Sequence, residues 1–560
     1  MSESNKKQNF LQGAAWLAIG AVVVKIIGAF YKIPLKLIIG DAGFGYFNTA
    51  YDVYSLLLSL ATAGLPVAMS RLVSQAAATG QDRQLRRIYK TCRAFFLALG
   101  GFATVAMLLF SKQFAQMQGQ PNAWIAIICL APSALMIGLM SSHRGFFQGR
   151  GNMRPTAVSQ VVEAVIKLVI GLALAYVLLK STGDLAYAAG GAILGVTISC
   201  LFSTVYLSRK FQNDYHNLSN NAEGVTSYRK ITKNLLAIAV PITIGAAAMS
   251  ILNLAETGLY MHNLVDLVGG GQYSPELVEE IQQSIIAGAV TMPSQAELNQ
   301  SVADNMKGIY NFMYTFYNMP FSIISPIAVS MLPAITEKLT LKDDVGVRKT
   351  EESSARVTGL LALPCSIGMA LVAEPLVGLF YDGYRQALGT QCLQLLGIAI
   401  FIAAAVTYTN SVLQSHNYAY VPVINTFIGA VIRLVLVVVL VANPYIGILG
   451  VPIASLLCYL CIFVLNLISI AFLVPQKPRI VRSLLRAFLP AAIMGAFVFG
   501  TGYVMENVLY ITSSVLLLAL PVVIGVVVYL VSVIWCNALT REDCLLLPKG
   551  EKIADILHLK

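Results

Sequence analysis

Apolar stretches long enough to cross a lipid bilayer follow one another from the beginning of the chain to its end. A hydrocarbon core of about 30 Å needs roughly 20 apolar residues in a helix. Only 12% of the residues are charged, against about a quarter in soluble domains, so an ordinary soluble fold is excluded. We predict an all-α polytopic membrane protein with about fourteen transmembrane spans, near residues 10–39, 44–73, 94–110, 124–140, 157–179, 185–207, 235–261, 309–335, 357–380, 391–413, 421–442, 445–473, 487–505 and 511–535.

The placement of Lys and Arg predicts the orientation of these spans. With the N-terminus in the cytoplasm, 29 of the 38 basic residues lie in cytoplasmic segments and only five lie in external ones. Cytoplasmic loops of membrane proteins carry this excess, so both termini are predicted to be cytoplasmic. The same clusters explain the net charge of +11 without a nucleic-acid partner, because they alternate with apolar spans.

Two internal sequence matches predict that the chain consists of two related halves. Ala164-Val-Ile-Lys-Leu-Val in the fifth span matches Ala430-Val-Ile-Arg-Leu-Val in the eleventh. Ile193-Leu-Gly-Val in the sixth span matches Ile448-Leu-Gly-Val in the twelfth. Because the matched spans are six apart, both halves should enter the membrane in the same direction, as in transporters whose halves rock around a central site.

The repeat defines two pseudo-symmetric six-helix lobes followed by two extra C-terminal helices. The external loop at 262–307 is acidic and is predicted to form a short amphipathic surface helix. The predicted segments are a cytoplasmic N-terminus (1–9), the N-lobe (10–207), a cytoplasmic linker (208–234), the C-lobe (235–473), a second cytoplasmic linker (474–486), the two extra spans (487–535) and a cytoplasmic tail (536–560).

Several charged residues fall inside the predicted spans and are the first candidates for a binding site. A charge at the centre of a membrane helix costs roughly 3 kcal/mol unless it faces water or a partner. Lys25 and Lys32 are seven residues apart and should project from one face of the first span. We predict that Lys25 lines a cavity, whereas Lys32 could line the same cavity or reach the outer headgroups.

The fifth and eleventh spans each carry a cation at matching positions of the repeat, Lys167 and Arg433. A cavity role is predicted for both. Glu163 precedes Lys167 by four residues, which favours an intrahelical ion pair with a structural role.

Other charged candidates allow more than one interpretation. Asp52 and Glu256 could hold a coupling cation, Na⁺ or H⁺, or could balance the lysines, and the second role is favoured. Arg71 lies near the cytoplasmic end of the second span, where topology alone explains it. Arg144, Arg150 and Arg154 surround a glycine-rich cytoplasmic loop and could meet an anionic headgroup at the cavity entrance.

Motifs of soluble catalysis and of nucleotide hydrolysis are missing from the sequence. There is no G-x-x-x-x-G-K-[ST] loop, and the cysteines and histidines lack metal-ligand spacing. We therefore predict a transporter rather than an enzyme, with no metal site and no cofactor.

Three motifs resemble the polysaccharide-exporter branch of the MOP flippases, and more narrowly its Gram-positive MurJ and stage V sporulation protein B group. They are Gly145-Phe-Phe-Gln-Gly-Arg-Gly-Asn-Met-Arg-Pro-Thr-Ala-Val-Ser-Gln-Val-Val-Glu, Gly64-Leu-Pro, and Glu374-Pro-Leu-Val-Gly-Leu-Phe. The resemblance covers essentially the whole chain and its span count. In Gram-negative members, arginines of the first, second and eighth helices line the cavity. The first of them aligns here with Lys25, and the second with Tyr31, beside Lys32. The second span has no basic match near Ser59, and the eighth span has none.

The resemblance implies a flippase in the bacterial cytoplasmic membrane that moves lipid II, an undecaprenyl-linked glycolipid, to the outer leaflet. The resemblance does not identify protein partners for this chain. Three alternatives remain at this point. The first is a flippase for another undecaprenyl-linked glycan, such as a capsule or spore cell-wall unit. The second is a cation-coupled drug antiporter, which should need acidic rather than basic cavity residues. The third is an integral-membrane glycosyltransferase or ligase, which should carry a catalytic loop.

Overall fold

A computed structural model describes residues 3–62, 64–78, 81–216, 226–271, 273–288, 292–330, 335–336, 338–339, 341–511, 513–540 and 543. These residues form helices and connecting turns, with no β-strand among them. The helices are α1 (Glu3–Thr62), α2 (Leu65–Ala78), α3 (Asp82–Leu109), α4 (Ser111–Met117), α5 (Trp124–Gly149), α6 (Arg154–Thr182), α7 (Leu185–His216), α8 (Tyr228–Gly269), α9 (Pro275–Gly288), α10 (Gln295–Ser330), α11 (Asp344–Leu371), α12 (Ala373–Val377), α13 (Gly383–Ser415), α14 (Tyr420–Val441), α15 (Gly450–Leu473), α16 (Ile480–Leu484), α17 (Phe488–Asn507) and α18 (Ser514–Trp535).

The predicted all-α, multi-pass fold is confirmed. In the part of the chain that the structure describes, 10 helical segments are long and apolar enough to cross a membrane. The total of fourteen spans stays a prediction, as does the cytoplasmic position of the termini.

Helix α1 contains the first predicted span and the larger part of the second, and it is kinked at Gly40. The second span ends in α2. Gly40 has φ of 65° and ψ of −173°, in the half of conformational space that glycine enters without steric cost. Spans 10–39 and 44–73 are therefore separated by a kink at a single non-helical residue rather than by a loop.

A glycine of the Gly64-Leu-Pro motif allows two helices to approach closely. A Cβ atom at position 64 would lie 2.1 Å from the carbonyl oxygen of Ala239 in α8. The backbone N–H of Gly64 also donates a hydrogen bond to the Thr243 hydroxyl, at 3.3 Å. A side chain at this position would separate α8 from the start of α2, so the motif has a packing role.

Two further glycines bring α6 and α7 into backbone contact. A Cβ atom on Gly195 would lie 2.3 Å from Cα of Gly171, and one on Gly171 would lie 2.9 Å from the Tyr31 hydroxyl oxygen. That hydroxyl donates to the carbonyl oxygen of Ala192, at 3.3 Å. The contact between the two helices thus also positions Tyr31 of α1.

We expect Gly195→Ala to lower the free energy of unfolding by roughly 1–3 kcal/mol, because the new methyl group meets backbone atoms that cannot rotate away. Gly101→Ala in α3 is the matched control. No atom lies within 4 Å of its Cβ position, so it should stabilise the helix by roughly 0.5–1 kcal/mol. Equilibrium unfolding of the full chain in mixed micelles measures both, and changes of the same sign would contradict the packing described.

The chain divides into two compact units. The first contains 1–265 and 294–311, and the second contains 266–293 and 312–560. Helix α8 thus lies in the first unit up to Val265, whereas the repeat assigned its span to the second half. The repeat is defined by similarity of sequence, whereas a compact unit is defined by contacts in space. The two divisions therefore need not coincide. The lobe boundaries stay a prediction.

In the second unit, the two C-terminal helices α17 and α18 pack against α11. Leu363 of α11, Ala491 of α17 and Val533 of α18 share one buried apolar cluster. The Tyr529 hydroxyl of α18 donates to the carbonyl oxygen of Leu360, at 2.5 Å. The extra pair is therefore an integral layer of this unit.

The predicted amphipathic helix of the external loop is confirmed as α9. Leu277 and Ile281 are buried on one face, whereas Glu276 and Glu279 are exposed on the other. Another of its carboxylates, that of Glu280, accepts a hydrogen bond from the backbone N–H of Tyr384 at 2.8 Å and pairs with Arg385 at 3.3 Å.

Those two residues lie in the first turn of α13. A carboxylate at a helix N-terminus satisfies an otherwise unpaired N–H group and interacts favourably with the helix dipole. The contact through Glu280 therefore attaches α9 to α13 within the second unit.

Candidate functional site

The first unit contains a line of charged side chains inside its helical bundle, which we call the charged line. It begins on α1, where Lys32 is half-buried and interacts electrostatically with Asp52, beyond the Gly40 bend, and with Lys167 of α6. Lys25, two turns before Lys32, is exposed on α1. The fold thus brings Lys32, Asp52 and Lys167 together, although they come from three different predicted spans.

Lys167 lies against an aromatic ring rather than against a carboxylate. Its Nζ atom is 5.3 Å from the ring centroid of Tyr31, within the range of a cation–π interaction. Tyr31 is buried at 1% exposure and its hydroxyl is already bonded to α7. The ring therefore holds one side of the ammonium group, and Glu163, one turn earlier on α6, adds an electrostatic attraction.

Glu163, which was predicted to pair with Lys167, interacts with it electrostatically and also makes a salt bridge to another helix. The Glu163 carboxylate lies 3.1 Å from the guanidinium of Arg144 in α5. The Nε atom of Arg144 also donates to the Ser159 hydroxyl, at 3.0 Å. Arg144 lies within α5, which extends to Gly149, and this places its side chain beside Glu163. Its position at the cytoplasmic entrance stays a prediction.

The other end of the charged line is a fully buried polar cluster, which the sequence did not reveal. Lys307 of α10 is only 1% exposed. Its Nζ atom donates to the Thr49 hydroxyl at 2.6 Å and to the Gln120 side-chain carbonyl at 3.0 Å. It also interacts electrostatically with Asp52. The cluster is therefore continuous with the charges on α1.

Asp304, one turn before Lys307, completes this cluster. It is fully buried and accepts hydrogen bonds from Gln120 at 3.0 Å, from the Tyr46 hydroxyl at 3.0 Å and from Gln300 at 2.9 Å. A buried carboxylate needs such donors to offset its desolvation. Asp304 is therefore a structural anion that also balances the charge of Lys307.

A sequence motif places the residues of this cluster on a helix. Ser294-Gln-Ala-Glu297 is a capping box, in which the Ser294 N–H donates to the Glu297 carboxylate at 2.8 Å and the Glu297 N–H donates to the Ser294 hydroxyl at 3.4 Å. The hydrogen bonds from Ser294 also hold the pKa of Glu297 below its usual value. The box marks the start of α10, which makes Asp304 and Lys307 helical rather than loop residues.

The charged line is nearly neutral overall. It contains four cations and three carboxylates and therefore carries one net positive charge when all are ionised: Lys32, Lys167, Lys307 and Arg144 against Asp52, Glu163 and Asp304. An incoming anion would meet basic groups that already have partners. Binding would then require exchange of partners rather than simple attraction to an excess of positive charge.

The remaining predicted residues lie outside the charged line. Arg71 on α2 is exposed, and Glu256 on α8 is buried at 6% exposure. Arg150 and Arg154 are exposed near the junction of α5 and α6, and Arg150 lies 5.7 Å from the centroid of the Phe146 ring. Arg433 is half-buried on α14 of the second unit. Roles in a cavity stay predictions for all of these residues.

The described residues contain no group of three or more His, Cys, Asp or Glu side chains that could hold a metal ion. The coupling ion considered from the sequence therefore stays unassigned.

A multi-pass helical fold with ionisable side chains inside the bundle is the architecture of a membrane transport protein. Comparison with known proteins makes this class more specific. A family model for polysaccharide biosynthesis proteins matches residues 10–338, more than half of the chain, and one for the lipid II flippase MurJ matches residues 296–520. The chain belongs to the polysaccharide biosynthesis protein family.

Individual relatives cover most of the chain at low identity. The lipid II flippase MurJ of Bacillus subtilis is 25% identical over 449 residues, which is 77% of this chain and 77% of that protein. Stage V sporulation protein B of the same organism is 23% identical and covers 85% and 86% of the two chains. A solved structure of MurJ in an inward closed conformation superposes with a TM-score of 0.63 at 13% identity, over 93% of this chain and 98% of that one. The predicted family resemblance is confirmed.

Proposed function

We propose that this protein is a flippase for lipid-linked oligosaccharides in the bacterial cytoplasmic membrane, with lipid II as its substrate. The observation that carries the proposal is the match of the MurJ family model to residues 296–520, because that family is named for this transport reaction. The charged line adds a physical reason, since half-buried cations within a helical bundle suit a pyrophosphate headgroup.

Lys32 and Lys167 are the cations proposed to bind the headgroup. Both are only half-buried, whereas Lys307 is fully enclosed by hydrogen-bond acceptors. Lys167 interacts with the Tyr31 ring and with Glu163, so a headgroup that binds it would compete with that carboxylate. An anion entering between these two ammonium groups would also relieve their mutual repulsion.

We further propose that transport proceeds by alternating access and draws on the membrane potential. Moving one negative charge outward through an inside-negative potential is favourable by about 2.3 kcal/mol per 100 mV. A headgroup with two charges would gain about 5 kcal/mol. No nucleotide hydrolysis by this chain is needed.

The test is headgroup accessibility in vesicles that contain the purified full chain. We expect labelled lipid II to move across the bilayer, faster when the potential favours movement of negative charge, and transport that ignores the potential would contradict the proposed driving force. A second set of vesicles carries an undecaprenyl-linked glycan without the peptide.

Transport of the second lipid alone would favour the rival substrate, which the match to stage V sporulation protein B supports. Movement of neither lipid, with efflux of a cationic dye instead, would favour a drug antiporter. Rescue of a strain depleted of its lipid II flippase gives an independent test.

A further inference from the structure

A cavity of about 570 Å³ opens on the outer surface of the first unit, between α3, α5 and α7. It lies near the start of α3 and the ends of α5 and α7, where basic residues are concentrated. None of its lining residues belongs to the charged line. The cavity is therefore separate from the proposed transport site.

The polarity of the cavity wall changes with depth along the helices. Lys90 and Arg93 of α3 are exposed at the basic end. One to two turns further along α3, the wall consists of Ala94 and Leu97, joined by Leu139 of α5. No acidic side chain lines the cavity. A ligand that fills it needs a negative group at one end and an apolar group at the other.

The floor of the cavity is rigid and its polar atoms are satisfied. The Nδ1 atom of His143 lies 2.8 Å from the carbonyl oxygen of Leu139, and its Nε2 atom lies 3.2 Å from the Tyr89 hydroxyl oxygen. The Tyr89 ring stacks on Phe211 with centroids 4.1 Å apart. The Tyr89 hydroxyl also interacts with the side chain of Arg93, so the floor helps to position this cation. Lys90 and Arg93 are the two basic side chains of the lining that can meet a headgroup.

We propose that this cavity binds an anionic phospholipid of the leaflet at the basic end of the protein. Its phosphate would lie between Lys90 and Arg93, and the upper part of an acyl chain would lie against Leu97 and Leu139. Basic pockets between membrane helices bind acidic lipid headgroups in this way. A soluble anion would use only the rim and leave the apolar depth empty, which is why a lipid is the better occupant.

The experiment measures lipid binding to the purified full chain by native mass spectrometry, with phosphatidylglycerol and with phosphatidylcholine. The test variant is Lys90→Gln/Arg93→Gln. The control variant Arg209→Gln/Lys210→Gln removes two exposed basic residues from the same end of α7, outside the cavity. At about 1 kcal/mol for each basic residue, the test variant should bind phosphatidylglycerol about 30-fold more weakly, and the control should bind it normally.

A second pair of variants tests the apolar part without changing charge. Leu97→Trp fills the depth of the cavity and should weaken phosphatidylglycerol binding, whereas Leu109→Trp, at an exposed position near the other end of α3, should not. Size-exclusion chromatography checks that each variant is folded.

Equal losses of phosphatidylglycerol affinity in Lys90→Gln/Arg93→Gln and in Arg209→Gln/Lys210→Gln would overturn the proposal, because they would indicate general electrostatic attraction to the surface. Equal binding of phosphatidylcholine, or full competition by inorganic phosphate with no effect of Leu97→Trp, would overturn it as well. If Lys90→Gln/Arg93→Gln does not fold, Leu97→Trp alone decides between a lipid and a soluble anion.

Discussion

Lys307→Met is expected to lower the free energy of unfolding by about 3–5 kcal/mol, the usual cost of removing one partner from a buried charged cluster. The substitution removes the ammonium group that bonds to Thr49 and Gln120. It also leaves the half-buried carboxylate of Asp52 and the buried carboxylate of Asp304 without that cation. Equilibrium unfolding of the full chain in mixed micelles measures the loss.

Lys180→Met is the matched control, because Lys180 is an exposed residue in the last turn of α6. Its effect should lie within about 0.5 kcal/mol of zero. Asp304→Asn, alone and combined with Lys307→Met, completes a double-mutant cycle. The two losses should overlap by about 0.5–3 kcal/mol, because each single variant leaves an unpaired charge that the double variant removes. Strict additivity would show that the two residues do not act as one cluster.

Lys32→Met is expected to reduce headgroup transport by roughly 100-fold. An ammonium group about 5 Å from a phosphate contributes roughly 3 kcal/mol at an effective dielectric constant of 20, and each 1.4 kcal/mol corresponds to a factor of ten. The rate of lipid II movement in vesicles measures the effect. Lys180→Met again serves as the control, with a rate close to that of the unmodified protein.

A double variant distinguishes two roles for Lys32, binding of the headgroup and neutralisation of Asp52. Lys32 interacts with Asp52, so its loss could act only by leaving that carboxylate uncompensated. Asp52→Asn, added to Lys32→Met, removes this charge. If Lys32 binds the headgroup, the double variant should stay defective. Recovery of transport would instead assign Lys32 a structural role and leave Lys167 as the proposed headgroup ligand.

The near-neutral charged line changes the physical picture that the sequence suggested. From the sequence, the basic residues in the spans predicted a strongly cationic cavity. In the structure, Arg144 is held by Glu163 and Lys307 lies among acceptors. The empty site can then be stable in the membrane, because unpaired buried charges are avoided. We expect the headgroup to compete with the carboxylates of the line for the same ammonium groups.

Local sequence patterns predicted the helical elements and the family. Long apolar runs predicted the helices, because in lipid each backbone N–H and C=O group must be bonded within its own segment. The acidic loop at 262–307 was predicted to form a short amphipathic helix, and the structure contains one there, α9. The motifs around Gly145 and Gly64 predicted the family, which the comparisons confirm.

Local sequence patterns did not predict which residues the charged side chains contact. Local spacing paired Glu163 with Lys167, since the two are one turn apart, but it could not show that the approach of α5 adds a salt bridge from Arg144. Lys307 is 258 residues from Thr49, its hydrogen-bond partner. Helical periodicity is a property of a short segment, whereas the choice of partner depends on which helices meet.

The sequence by itself therefore determined that this protein lies in a lipid bilayer, that it is helical and that its membrane spans contain charges. These properties follow from composition and from local helical periodicity. Only the tertiary structure decided which charges are balanced. Helix packing brings Lys32, Asp52 and Lys307 from distant parts of the chain into electrostatic contact, and burial then makes each group depend on its neighbours.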